Sequence, residues 1–200
     1  MRDLLEKAAK TLEGAGLQVN YEARPEFTLE KVTDTFFALL QAALAGGVAI
    51  DRLEDYANTV GDTPAAHTRR LLAMRHRQWL SWNERRLQMR KRWEEFFRNW
   101  DAILLPVMPC PAIPHDHSEP QSSRGVQVGG EQRSYWSLIT WMAPAGACYL
   151  PAPVVPVGLL ANGLPVGIQI VGPYLEDRTT LNIAKHLLAM LGGCPRPPGF

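Results

Sequence analysis

An α/β fold is predicted, on three observations. Between residues 2–13 and 17–23 the hydrophobic period changes from 3.6 to 2 across one short turn, so a helix feeds a strand. Two apolar segments, PAPVVPVGLL and LPVGIQIVGP, are separated by Ala161, Asn162 and Gly163, and Asn-Gly is a strong signal for a tight β-hairpin. Amphipathic helical stretches, Thr28 to Ala45 and Asp177 to Leu191, stand before and after the strand-like runs, as a layered architecture requires.

In the first helix Leu4 or Leu5, Ala8 or Ala9, and Leu12 share one stripe, and Gly14 and Gly16 end it. LQVNYEA alternates Leu17, Val19 and Tyr21 with Gln18, Asn20 and Glu22 and is read as a strand. TLEKVTDTFFALLQAALA is a helix with Thr28 as N-cap, and a shorter helix covers Asp51 to Thr59. Ala65 to Trp100 contains no Pro or Gly, so its 36 residues are expected to form one helix, about 54 Å long at 1.5 Å per residue. DAILLPV, 101–107, is too apolar for one-sided burial and is placed in the sheet interior. The 26 residues MPCPAIPHDHSEPQSSRGVQVGGEQR are read as a structureless loop. The hairpin follows, and then a last helix with Asp177 as cap, Leu181, Ala184, Leu188 and Leu191 on one face, and Gly192-Gly193 as terminator.

With 200 residues, 46% hydrophobic and 20% charged, the chain can bury roughly 70% of its unfolded surface, and residues 1–200 are taken as a single domain. Its 21 Lys and Arg balance 20 Asp and Glu, which removes any general affinity for polyanions. Three cysteines, Cys110, Cys148 and Cys194, without C-x-x-C spacing, argue against a disulfide framework or a cysteine zinc site and favour the cytoplasm. The amino terminus lacks the apolar core of a secretory signal. Residues 134–175 carry no charge, but Pro144, Pro151, Pro153, Pro156, Pro165 and Pro173 would break a membrane-spanning helix there. No membrane contact is expected.

Residues 69–98 hold ten Arg or Lys against Glu84, Glu94 and Glu95, and Trp79, Trp82, Trp93 and Trp100 are interleaved with them or close beside them. Phosphate contact with base stacking is one reading. An amphipathic helix whose aromatic stripe packs on a sheet explains the same residues without a ligand, and no nucleic-acid partner is expected. His115-Asp116-His117 is the only close set of metal-ligand types, and Glu119 and Cys110 do not complete a zinc spacing. No metal or cofactor is expected. Ser122 and Ser123 have no base in a recognisable partner motif, and Cys110 and Cys148 lie in apolar surroundings that disfavour a thiolate.

The ordered blocks DAILLPVMP, LPAPVVPVG, NGLPVGIQIVG and EDRTTLNIA, with Pro144, Leu150-Pro151, Pro156, Gly163-Leu164-Pro165, Gly167, Gln169 and Gly172, resemble the carboxy-terminal part of the amidase signature family. The resemblance extends over essentially all 200 residues, strongly from 100 to 191 and loosely before that. It implies one large mixed β-sheet covered by α-helices, and hydrolysis of carboxamide C–N bonds through an acyl-serine, with a serine, a second serine in a cis peptide, and a lysine. All three lie in the family's amino-terminal half, and neither their Gly-rich paired-serine segment nor the lysine motif occurs here. By this resemblance the chain has no catalytic residue of its own, is inactive alone, and is the carboxy-terminal portion of an amidase whose catalytic core is absent.

In similar proteins the region between the DAILLP strand and the Leu-Pro block shapes the substrate pocket. The resemblance therefore implies substrate-binding roles for Tyr135, Trp136, Thr140 and Trp141, whose rings and hydroxyls can orient an amide; core packing explains them equally. The family's frequent Asn-Leu-Thr-Gly is replaced by Gly146-Ala147-Cys148-Tyr149, and Ile139 stands at the position of an amino-acid-binding Asp in the family's transfer-RNA-dependent amidotransferases. A small-amide or aryl-amide substrate is thereby favoured over transamidation. An alternative class is a naturally short, noncatalytic relative that binds or oligomerises through an exposed sheet edge.

Overall fold

The computed structural model describes residues 1–119 and 121–193; Cys194 lies outside them. Helix α1 spans Arg2–Gly14, α2 Leu29–Leu44, α3 Ile50–Ala57, α4 Pro64–Leu72 and α5 His76–Phe96. Strand β1 (Ile103–Pro106), the hairpin of β2 (Gly125–Val128) and β3 (Glu131–Ser134), helix α6 (Ala143–Cys148), strands β4 (Val154–Leu159) and β5 (Pro165–Val171), and helix α7 (Asp177–Met190) follow. The fold is α/β, as the sequence predicts.

Strands β1, β5 and β4 form a three-stranded sheet in that spatial order, antiparallel throughout, with Ile103 opposite Val171 and Val155 opposite Ile168. The period of two along β5 divides its residues between two cores. Val166, Ile168 and Ile170 pack with Val155 and Val157 against Ala8 and Leu12 of α1 and Ala184 and Leu187 of α7. Val171 points the other way, into a core of Val32, Met89, Trp93, Ala147 and Cys148 from α2, α5 and α6. The sheet is thus the middle layer of three.

Thr28 caps α2 as its position predicts, accepting from the Lys31 N–H at 3.3 Å. Asn162-Gly163 closes the β4–β5 hairpin, with the Leu160 N–H donating to the Leu164 carbonyl at 2.9 Å. Other expectations are corrected. LQVNYEA is not a strand: Leu17 and Tyr21 are exposed, no strand pairs with it, and the Asn20 carboxamide accepts from the Glu22 and Ala23 N–H groups, turning the chain. The predicted 65–100 helix breaks at Ala73–Arg75, where the Gln78 side chain accepts from the Arg75 N–H and starts α5 afresh. The predicted long loop contains β2 and β3, joined through Gly129-Gly130 with both glycines at positive φ. Glu176, not Asp177, is the N-cap of α7. Leu181 is 57% exposed, because the buried stripe runs through Thr180, Ala184 and Leu187.

DAILLPV is expected in the sheet interior, yet β1 is an edge strand. Its apolarity has another cause: Leu104 packs with the α1–α7 side, while Ile103 and Leu105 pack with the α2–α5–α6 side. Both faces are covered and the outer edge is not. The accessible surface is 13001 Å², against about 9400 Å² for a compact monomer of 22.3 kDa.

Candidate functional site

The open edge of β1 forms one side of a groove of 1540 Å³. Leu5 of α1 and the 17–29 segment make one wall; Trp93 and Phe96 of α5 with Trp100 make another; Trp141 and Pro144 lie at the end nearest Pro106. Ring packing fixes the aromatic wall, with Phe27 edge-on to Trp93 at 5.4 Å and Phe96 edge-on to Trp93 at 5.7 Å. Arg178 and Asn182 of α7 and Asp101 add polar groups. The groove is therefore mostly apolar with a few convergent polar side chains, the composition of a site that takes an organic ligand or another segment of protein.

Of the four residues singled out from the sequence, Trp141 reaches this groove. Its carbonyl is held by Gln169, whose Nε2 donates to Trp141 O and to Pro106 O, both at 2.6 Å. Gln169 is 4% exposed, so one buried carboxamide ties the Trp141 backbone to the end of β1. Tyr135 instead packs on a satellite core of Cys110, Val126 and Leu138, with the Arg124 guanidinium 5.9 Å from its ring. Trp136 stands edge-on to Phe37 of α2 at 5.1 Å, and half-buried Thr140 donates its N–H to Ser137 O at the end of a 3-10 turn, Tyr135–Ile139. The structure thus separates the four: Trp141 lines the groove, and Tyr135, Trp136 and Thr140 do not.

Sequence reasoning missed Gln169 as a positioning group. Its signal was present, a lone polar side chain at a both-face-buried strand position in PVGIQIV. Sequence patterning puts Phe96 and Trp93 on a helix stripe rather than in a groove wall, because their partner Phe27 is distant in the chain.

The basic helix uses its aromatics within the fold. Trp93 is 2% exposed, Arg85 covers Trp82 at 4.4 Å, and Arg92 and Arg98 pair with Glu26, Glu95 and Glu94. Burial pushes the Cys148 thiol up to about 12, against the opposing pull of Arg90 and Arg86, and raises that of Cys110. Both are kept as thiols, as the sequence reading expects. The rings of His115 and His117 are 6.0 Å apart, and Asp116 accepts from Ser118, which holds its carboxyl below the usual range. Among the described residues no three His, Cys, Asp or Glu converge on a common point.

The chain belongs to the Amidase family, whose model matches residues 1–181. It is 31% identical over 106 residues to the fatty acid amide hydrolase of Medicago truncatula, covering 52% of this chain and 16% of that protein. It is 28% identical over 114 residues to the 6-aminohexanoate-cyclic-dimer hydrolase of Paenarthrobacter ureafaciens, covering 54% of this chain and 22% of that one. The crystal structure of an amidase superposes with a TM-score of 0.72 at 25% identity, covering 96% of this chain and 42% of the other. The chain therefore spans well under half the length of the relatives it matches.

Proposed function

We infer that the chain is the carboxy-terminal portion of an amidase, one domain over residues 1–200, that supplies sheet, helices and pocket wall to an enzyme whose catalytic serines and lysine lie in the preceding portion. The observation that carries this is the match of nearly the whole chain, 96%, to only 42% of an amidase structure. The physical state of the molecule supports it. Its surface exceeds that of a compact monomer by roughly 3500 Å², more than the roughly 1000–2500 Å² that one partner contributes to an obligate interface, and β1 leaves one edge unpaired beside an aromatic groove.

In this reading the missing portion extends the sheet from β1 and fills most of the groove. What it leaves open beside Trp141 and Pro144 receives a small amide or aryl amide. Trp141 gives that pocket an apolar wall, and Gln169 fixes its place. Tyr135, Trp136 and Thr140 shape the pocket by holding the 3-10 turn that leads into Trp141. The chemistry, attack of a serine on the amide carbonyl and release of the amine, belongs to residues this chain does not carry.

The test compares the chain alone with the same chain preceded by an amidase amino-terminal portion bearing the paired serines and lysine, on simple carboxamides and aryl amides. Turnover confined to the longer protein is expected. A Trp141→Ala substitution in it should raise KM more than it lowers kcat. Equal turnover by the chain alone would refute the assignment.

A further inference from the structure

On the α6 side of the sheet, away from the groove, two arginines one helical turn apart are held by two tyrosines. The Arg86 guanidinium lies 4.7 Å from the Tyr149 ring centroid and donates to the Tyr149 hydroxyl and to Asn83 Oδ1. Arg90 lies 5.8 Å from the Tyr149 ring and 4.0 Å from the Tyr174 ring. Cation–π contacts cover the faces of a guanidinium and leave its in-plane N–H donors free.

On Arg86, Nη1 and Nη2 each already meet one acceptor, Tyr149 Oη and Asn83 Oδ1, whereas the donors of Arg90 meet none among the described residues. Every ion pair among the described residues uses another arginine, namely Arg24, Arg92, Arg98, Arg124 or Arg133. Among the described residues, the half-buried Arg90 donates no hydrogen bond to protein, and the buried Nε of Arg86 has no acceptor. Capping of α6 does not account for them, because the cap N–H of Tyr149 and that of Leu150 already converge on Ala145 O, and no α6 carbonyl accepts from either guanidinium. Two positive charges at i and i+4 repel unless an anion lies between them.

The tyrosines are also held at some cost to the backbone. Tyr149 adopts φ 60° and Leu175, next to Tyr174, adopts φ 65°, the only non-glycine residues at positive φ among the described residues. Side chains other than Asn and Asp seldom take that conformation, and it recurs at ligand sites. Tyr149 and Tyr174 are nevertheless 54% and 46% exposed. The positive φ of Tyr149 closes the carboxy-terminal cap of α6 on Ala145 O, and that cap leaves the Tyr149 ring beside the arginines.

We propose that Arg86 and Arg90, with the Tyr149 hydroxyl, form a binding site for a small free oxyanion, a phosphate or a carboxylate. The two guanidiniums supply charge and a fork of donors, and the tyrosines pre-organise them. The site is independent of the amidase reading, since it uses no residue of the groove.

Calorimetric titration of the purified 200-residue chain with inorganic phosphate and with acetate, at constant ionic strength, tests this, and the stronger probe identifies the anion. Saturable binding is expected, weakened about tenfold in Arg90→Gln and unchanged in Arg77→Gln, an exposed arginine of the same helix. Arg90→Lys, which keeps the charge and the fold, should also bind more weakly because it loses the planar fork. Absence of saturable binding, or equal loss in Arg77→Gln, would overturn the site in favour of diffuse charge. A dimer that phosphate or Arg90→Gln dissociates would overturn it too, since a carboxylate of a second copy would then be the occupant.

Discussion

Gln169 stands at the centre of β5, and its buried carboxamide satisfies two carbonyls that belong to other segments. Replacing it with Leu would leave Pro106 O and Trp141 O without that donor and should cost about 2–4 kcal/mol. Denaturant unfolding would read the loss, and a variant as stable as the parent would remove Gln169 from its positioning role. Cys148 makes a second prediction. Its thiol is raised by burial to about 12, above the unfolded value near 8.5. The unfolded chain thus releases this proton first as pH rises, so the stability held below about pH 8.5 falls progressively toward pH 12, by at most about 1.4 kcal/mol per pH unit. Cys148→Ala should flatten that alkaline decline, measured by unfolding at pH 8 and pH 10, and an unchanged slope would contradict it. Residue chemistry of this kind was legible in the sequence for Cys148, from its apolar neighbours. It was not legible for Tyr135 and Trp136, because nothing near them in the sequence shows that one ring packs on Cys110, Val126 and Leu138 and the other on Phe37.

Elements were legible where local chemistry decides them. Thr28 as cap, Asn162-Gly163 as turn and the stripe of α1 all depend on residues a few positions apart. The break between α4 and α5 was not, because no Gly or Pro marks it; the Gln78–Arg75 cap decides it, and both helices pack on α2 while α4 also meets α3 and α5 also meets α6. LQVNYEA shows the converse, an alternating pattern that finds no partner strand and stays unpaired along the groove. The β5–α7 contact provides a test at this scale. A Cβ on Gly172 would come 2.2 Å from Thr180 Cγ2, and Thr180 is fully buried. Gly172→Ala should destabilise by about 2 kcal/mol. Thr180→Ser, which deletes that methyl, should recover part of the loss in the double variant. Additive losses in the two variants would show that the contact does not couple them.

At the scale of the whole molecule, the apolarity of β1 misleads the placement of that strand, yet it reports a real property: two covered faces and an edge that lacks a neighbour. An uncovered edge and about 3500 Å² of excess surface predict concentration-dependent self-association of the isolated chain. Sedimentation would detect it, and a monodisperse monomer at all concentrations would argue that the groove is already closed. No helix among the described residues is long and apolar enough to cross a membrane. The family relationship was legible from the ordered Pro and Gly blocks, which mark turns and close backbone approaches; the groove was not, since it is assembled from segments far apart in the chain, around Phe27, Ile103 and Trp141. The most direct measurement is amide hydrolysis by the chain alone beside the chain joined to an amidase amino-terminal portion. Turnover only in the joined protein, lowered in substrate affinity by Trp141→Ala, is the predicted result. Turnover by the isolated 200 residues, or none in a folded joined protein, would contradict the assignment of this chain as the carboxy-terminal portion of an amidase.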